Sequence, residues 1–389
     1  MAFRKFNADK LFDGYRLHDN NAVLITDEKG KFLDIVPVTE AGEDVEKRQG
    51  ILSPGLVNAH CHLELSHLKN VIPPHTGLVE FLCSVVTKRG FDPAIIQEEI
   101  RKAGEEMYSN GIVAVGDIGN TADTASVKAK SSIYWQNFVE VLGFTDERAE
   151  ENIRNYQGVI KEFEKTNAGN MRSGLVPHAP YSISPKTFQR INQETAGKII
   201  SIHNQEHPAE DILYKTGGGD YLRLFRIFGI DKSPFPVTGK SSLQSYLPYF
   251  NSGQKILLIH NTYMPPEDIV FAREYARENG LSLVWCLCIN ANLYIENKVP
   301  PIELFLQYDL PLVLGTDSYS SNWQLSIARE MQSVHRYFPQ IPMERILQWA
   351  TINGARALNW EDKFGSFEKN KTPGIVLISN DLDKSERIL

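Results

Sequence analysis

The chain has 389 residues, 42% hydrophobic and 23% charged, with a net charge of −7. Its Lys and Arg gather into no basic stripe, so nucleic acid is not an expected partner. No apolar run approaches the ~20 residues that cross a bilayer, which excludes a membrane helix. The first stretch, MAFRKFNADKLFDGYRLHDN, has no apolar core and no small-residue cleavage site, so it does not read as a signal peptide. Cys61, Cys83, Cys286 and Cys288 form no CxxC pair and match no structural zinc spacing. Free thiols in a reducing cytoplasm are therefore expected.

In chain order, residues 1–54 read as β structure, with a hairpin signal at DEKG inside NAVLITDEKGKFLDIVPV. After Pro54–Gly55 the texture changes to short apolar runs alternating with amphipathic stretches. The run that leads to His60 comes first. GIVAVGDIGN, IYWQNFVEVLGF, RSGLVPHAPY, KIISIHNQE, KILLIHNTYM, LSLVWCLCINAN and LPLVLGTDS follow. The stretches 97–109, 147–165, 185–195, 266–279 and 322–335 have helical spacing. SPKTF and MPPEDI place proline near a helix start, where its missing N–H costs nothing. Eight strands, each followed by a helix or long loop, predict an α/β fold with a (β/α)₈ barrel over 55–360. A doubly wound sheet competes, but its Gly-rich phosphate fingerprint is missing; TGGGDY follows no strand and reads as a loop. Residues 361–389 turn strand-like again, and with 1–54 they predict one small β-sandwich built from both ends.

Five of the ten histidines fall at predicted strand ends. His60 and His62 end the first, and His178, His203 and His260 end the fourth, fifth and sixth. Asp317 ends the eighth, in VLGTDS. In a (β/α)₈ barrel those ends converge on one mouth. Residues two apart on an extended segment face the same side, so the imidazoles of His60 and His62 can reach one ion. His203 and Asp317 are the natural candidates to complete the set. Mixed nitrogen and oxygen ligands suit Zn²⁺, and also Fe²⁺ or Mn²⁺. A lone HxH is a weak signal, a lone strand-end histidine is usually a rim residue, and GTDS alone is an ordinary turn. Four such groups, each in a polar break after an apolar run, are hard to explain as packing.

PGLVNAHCHLE (54–64), PHAPYSIS (177–184), HNQE (203–206), LIHNTYM (258–264), CINANLYI (288–295), LGTDSYSSN (314–322) and WATINGARALN (349–359) stand in one order along the chain. In that order and spacing they resemble the amidohydrolase superfamily, in its cytosine deaminase, guanine deaminase and chlorohydrolase branch. The resemblance implies a (β/α)₈ barrel with a small β-sandwich from both termini and one divalent metal, Zn²⁺ or Fe²⁺. It implies His60, His62, His203 and Asp317 as ligands, with Asp317 also the base. Glu206 would be the proton shuttle, His260 would polarise the attacking water or the developing oxyanion, and His178 would contact substrate. A subgroup bridges two metals with a lysine on the fourth strand; RSGLVPHAPYS has none there, which favours one metal. The chain departs from the family at Cys288–Ile289, where Cys-Pro is common, and in its short final segment.

For the substrate, Glu64 falls on the same side as the HxH pair and is a candidate contact for an amine or sugar hydroxyl; a rim salt bridge is the equal alternative. Arg223 and Arg226 are candidates for an acidic substrate group, and Asn290 and Asn292, placed at the end of the seventh strand, for a hydrogen bond to ligand. Ser318, Ser321 and Asn322 are expected to hold the loop after Asp317. NAHCHLELSHLK with NANLYIEN resembles a bacterial group described as aminodeoxyfutalosine deaminases or chlorohydrolase-like proteins, which implies a small nucleoside substrate. Three readings stay open: a deaminase of an aminated purine-like heterocycle or nucleoside, a hydrolase of another C–N or C–Cl bond, and a non-catalytic metal-binding scaffold. Glu206 favours the first. The sequence neither requires nor forbids a homodimer.

Overall fold

A computed structural model describes residues 3–166 and 168–389. Eight parallel strands carry the larger part of the chain, in two four-stranded sheets. The first sheet holds β1 (Leu56–Cys61), β2 (Ile112–Gly119), β3 (Tyr134–Val141) and β4 (Met171–Pro177), in sequence order. The second holds β5 (Ile199–Asn204), β6 (Lys255–His260), β7 (Ser282–Leu287) and β8 (Leu312–Leu314), also in order. The strands read as near-continuous apolar runs because both faces are covered. In β6, for example, every residue after Lys255 is buried.

The two sheets meet at both edges. At one, Cys61 and Asp317 form a parallel bridge, and the amides of Thr316 and Asp317 donate to His60 O at 2.9 and 3.1 Å. At the other, His203 N donates to His178 O at 3.0 Å. Gly315 permits the first junction, since a Cβ there would lie 2.8 Å from His60 Cβ.

The helices follow their local signals. Ser184 caps the Pro185–Glu194 helix by accepting from Thr187 N, and Pro185 takes the first position. Proline also opens the Pro266–Asn279 helix, and Gly280, at φ +68, ends it. The helix expected over 322–335 begins only at Ile327, capped by Ser326. The preceding residues are committed elsewhere: Asn322 Nδ2 donates to Thr316 O at 2.8 Å and to Glu330 Oε1 at 3.0 Å. TGGGDY links the Ala209–Thr216 and Tyr221–Ile227 helices, with Gly217 at φ +71.

The N-terminal strands form two further sheets. One orders Phe32–Pro37, Ala22–Asp27, Phe3–Asn7 and Val45–Lys47. The DEKG hairpin lies in it, turned by Asp27 Oδ1, which accepts from Lys29 N and Lys31 N at 2.8 and 2.9 Å. The other joins both ends of the chain, because Ile375–Ile378 pairs antiparallel with Ile51–Pro54. Phe6, Leu11, Leu24, Leu52, Phe367 and Ile375 share one apolar cluster. No helix among the described residues is long and apolar enough to cross a membrane.

Candidate functional site

The strand ends bring His60, His62, His178, His203, His260, Glu206 and Asp317 together around one cavity of about 190 Å³, lined by six of these seven; His60 lies buried beneath them. The backbone there is unusual. Gln205, His260 and Asp317 all have positive φ, at 44°, 71° and 57°. Non-glycine residues in this region are sparsely populated and concentrate at functional sites.

At the floor, one nitrogen from each of His60, His62 and His203 lies within 4.8 Å of the others. His62 Nε2 and His203 Nε2 are 3.2 Å apart. Asp317 Oδ1 stands 3.7 Å from His60 Nε2 and 3.6 Å from His62 Nε2. Neither ring nitrogen of His60 has a hydrogen-bond partner in this fully buried position. His203 Nδ1 faces the carbonyl of His178 at 2.8 Å. A carbonyl only accepts, so Nδ1 carries the hydrogen and Nε2 presents a lone pair. Burial, with the neighbouring histidines, lowers His62 to about 3 and holds His203 well below its usual range. Burial pushes the Asp317 carboxyl up, but the imidazoles of His60, His62 and His260 outweigh it and hold it low. The lowered imidazoles of His62 and His203, the low carboxyl of Asp317 and the unpartnered nitrogens of His60 are a donor set that fits a divalent cation.

Glu140, His178 and His203 make a second group within 4.8 Å. His203 belongs to both groups and has one free nitrogen, which can serve one ion only.

Beside the floor, Glu206 Oε1 lies 3.6 Å from His260 Nε2. Burial, then the Asp317 and Glu210 charges, push the Glu206 carboxyl well above its usual range. Glu210 fixes the turn that carries it, accepting from Gln205 N at 3.1 Å and Glu206 N at 2.8 Å. His260 Nδ1 pairs with Asn292 Oδ1 at 2.8 Å, so its other nitrogen faces the cavity as an acceptor. Burial lowers His260 and His178 to about 4. Ser321 Oγ donates to Asp317 Oδ2 at 2.6 Å, and Ser318 Oγ lies 3.1 Å from Ser321 Oγ, as expected for residues that hold this loop.

Glu64 also lines the cavity, but three donors occupy its Oε2: Asn120 N, Thr121 N and Thr121 Oγ1 at 3.0–3.2 Å. Its Oε1 lies 3.6 Å from Arg89 Nη2. Two expected substrate contacts are not brought to the cavity. Arg223 is exposed on the Tyr221–Ile227 helix and pairs with Glu80 at 2.5 Å, tying that helix to the Leu78–Lys88 helix. Asn290 is not at a strand end: both it and Asn292 sit on the Ile289–Glu296 helix. Asn290 is turned to the Ile327–Tyr337 helix, accepting from Ser333 Oγ at 2.6 Å.

Sequence reasoning did not single out Arg89, Asn120, Glu140 and Glu210. Only Glu210 left a signal, an acidic residue seven after His203 in the first turn of a helix. The opposite wall of the cavity is apolar, built from Leu78, Phe81, Leu82, Phe144, Leu224 and Phe228.

The profile of the amidohydrolase family matches residues 51–387. A 5-methylthioadenosine/S-adenosylhomocysteine deaminase of Clostridium tetani is 25% identical over 344 residues, covering 85% of this chain and 72% of the relative. The crystal structure of Helicobacter pylori aminofutalosine deaminase with methylthio-coformycin superposes at a TM-score of 0.78, with 20% identity over 99% of this chain and 97% of that one. A zinc-bound adenosine deaminase from Xanthomonas campestris superposes at 0.72, with 19% identity over 97% and 84%.

Proposed function

The chain belongs to the amidohydrolase family, and from that premise we propose that it is a metal-dependent hydrolytic deaminase of an aminated purine-like heterocycle, of the adenine nucleoside type. Aminodeoxyfutalosine is the leading specific substrate, in keeping with the name of a Deinococcus radiodurans relative, an aminodeoxyfutalosine deaminase, and with the matching length of the Helicobacter pylori aminofutalosine deaminase. The eight parallel strands close as one (β/α)₈ barrel over 55–360, and 1–54 with 361–389 form a small β-sandwich.

His60, His62, His203 and Asp317 would hold the ion, Zn²⁺ first and Fe²⁺ second. When bound, such an ion supplies Lewis acidity that brings the pKa of water towards ~7. Asp317, ionised, accepts a proton from the attacking water. Glu206, protonated, delivers a proton to the ring nitrogen beside the reacting carbon. His260, pinned by Asn292, orients the incoming oxygen through its cavity-facing nitrogen. The C–O bond forms, the C–N bond breaks, and ammonia leaves with a proton that these carboxyls pass on. His178 and Glu64 lie along the path of the substrate.

The observation that carries this reading is Glu206, a buried carboxyl 3.6 Å from His260 that lines the same cavity as the histidines and that burial pushes well above its usual range. A leaving amine has to be protonated before it departs, which a leaving chloride does not, so a buried proton donor suits deamination best. The test is ammonia release by Zn²⁺- or Fe²⁺-loaded protein from aminodeoxyfutalosine, 5′-methylthioadenosine, 5′-deoxyadenosine, adenosine and guanine. Release that stops in Glu206→Gln while the metal stays bound supports the proposal; silence across the panel counts against it.

A further inference from the structure

Glu140 stands one residue before the end of β3, lines the cavity and is only 5% exposed. Its two oxygens have different surroundings. Oε1 accepts from Asn120 Nδ2 at 3.2 Å. Oε2 is buried and has no partner. His178 Nε2 is 4.0 Å away, beyond hydrogen-bond reach. Leaving a buried polar atom unpaired costs its full desolvation. An orphan of this kind, on a side chain that lines a cavity, points to a ligand contact.

The neighbours determine the kind of contact. Arg89 Nη2 donates to Asn120 Oδ1 at 3.4 Å. A guanidinium can only donate. The Asn120 amide is therefore held with its oxygen toward Arg89 and its nitrogen toward Glu140. That nitrogen occupies Glu140 Oε1 as an acceptor, so a proton on the carboxyl belongs to the unpartnered Oε2. Burial and the Glu64 charge push this carboxyl up to about 8, in keeping with a protonated group at neutral pH.

We infer that Glu140 is a substrate-contact residue whose Oε2 donates a hydrogen bond to a ring nitrogen of the heterocycle, distinct from the one Glu206 protonates. The inference rests on the heterocycle deaminase reading above. It gives Glu140 an orienting role: the ring docks productively only with that acceptor toward β3 and the amine toward the histidine floor.

Glu140→Gln and Glu140→Leu separate the alternatives. With Asn120 held by Arg89, a glutamine turns its oxygen to Asn120 and its N–H to the cavity, so the donor survives. Leucine keeps the volume and removes it. Steady-state kinetics on the metal-loaded enzyme, with adenosine, 3-deazaadenosine and 7-deazaadenosine, reads the contact. Glu140→Gln should stay within about 3-fold of wild type, and Glu140→Leu should lose about 3- to 10-fold, mostly in KM. One deaza compound should suffer the same loss on wild type and no further loss on Glu140→Leu. Equal losses in both variants overturn the inference, because the carboxylate would then be an acceptor or a packing group. Unchanged KM in both variants overturns it as well. Should Glu140→Leu fail to fold, wild type and Glu140→Gln decide, and indifference to both deaza compounds overturns the contact. Calorimetric binding of the same compounds separates the two readings. Binding with these differences but without turnover keeps the contact and removes the deaminase; no binding at all removes both.

Discussion

The cavity has two unlike sides. Its floor is built from residues at the ends of β1, β5, β6 and β8, held by backbone hydrogen bonds at the edges where the two sheets meet. Its opposite wall comes from the Leu78–Lys88 helix, the residues after β3, and the Tyr221–Ile227 helix with Phe228. The floor is polar, buried and pinned: Asp317 by Ser321, His260 by Asn292, His203 by the His178 carbonyl. The wall is apolar and partly exposed at Phe228. Chemistry that needs geometry to a fraction of an ångström belongs on the rigid side. Recognition of the rest of the substrate, which only needs an apolar surface, falls to helices and loops.

Four variants can break or sharpen that division. The largest effect is expected for His203→Ala, which removes a floor nitrogen. Bound metal, read by elemental analysis, should fall to near zero, and turnover by roughly 10³-fold or more. Glu206→Gln comes next, with kcat lowered about 10²- to 10⁴-fold and metal content unchanged. A variant that lost metal too would make Glu206 part of the floor's scaffolding. On the wall, Phe144→Ala should raise KM by about 3- to 10-fold and leave kcat within about 2-fold, since it removes apolar contact made equally in ground and transition states. A fall in kcat alone would contradict the division.

The smallest effect concerns stability. Glu140 is raised from its ordinary value to about 8, so between pH 4.5 and 8 the folded protein binds more protons there than the unfolded chain. Its contribution is fully present below about 4.5 and is lost as pH rises through about 8. The melting temperature of metal-free wild type, minus that of Glu140→Gln, should therefore decline from pH 5 to pH 9. A flat difference would mean that Glu140 is ionised in the folded protein.

The floor was legible in the sequence because each of its groups interrupts an apolar run: HCH, HNQE, IHNT and GTDS are polar breaks where strands end. The two-residue period of an extended segment put His60 and His62 on one side without reference to anything distant. The wall and rim were not legible in the same way. Glu140 lies within NFVEVL, where a charged residue in an apolar strand has no local sign of facing a cavity. What gives it meaning is Asn120, twenty residues earlier, and Arg89 beyond that. Arg223 misleads for the converse reason. A glycine-rich loop before a helix does not say which face will turn inward, and Glu80, 143 residues away, takes that guanidinium. The apolar run before Asn290 and Asn292 predicts a strand end there, but the chain enters a helix at Ile289, which sends one to the Ile327–Tyr337 helix and the other to His260.

The most direct test of the central claim, that the strand-end groups hold one ion on which hydrolysis depends, is metal stoichiometry measured alongside ammonia release. The account predicts about one divalent ion per chain in wild type. It predicts that loss of the ion on chelation stops release and that reloading restores it. Full ammonia release from chelated, metal-free protein would contradict it, and so would a second ion of comparable affinity.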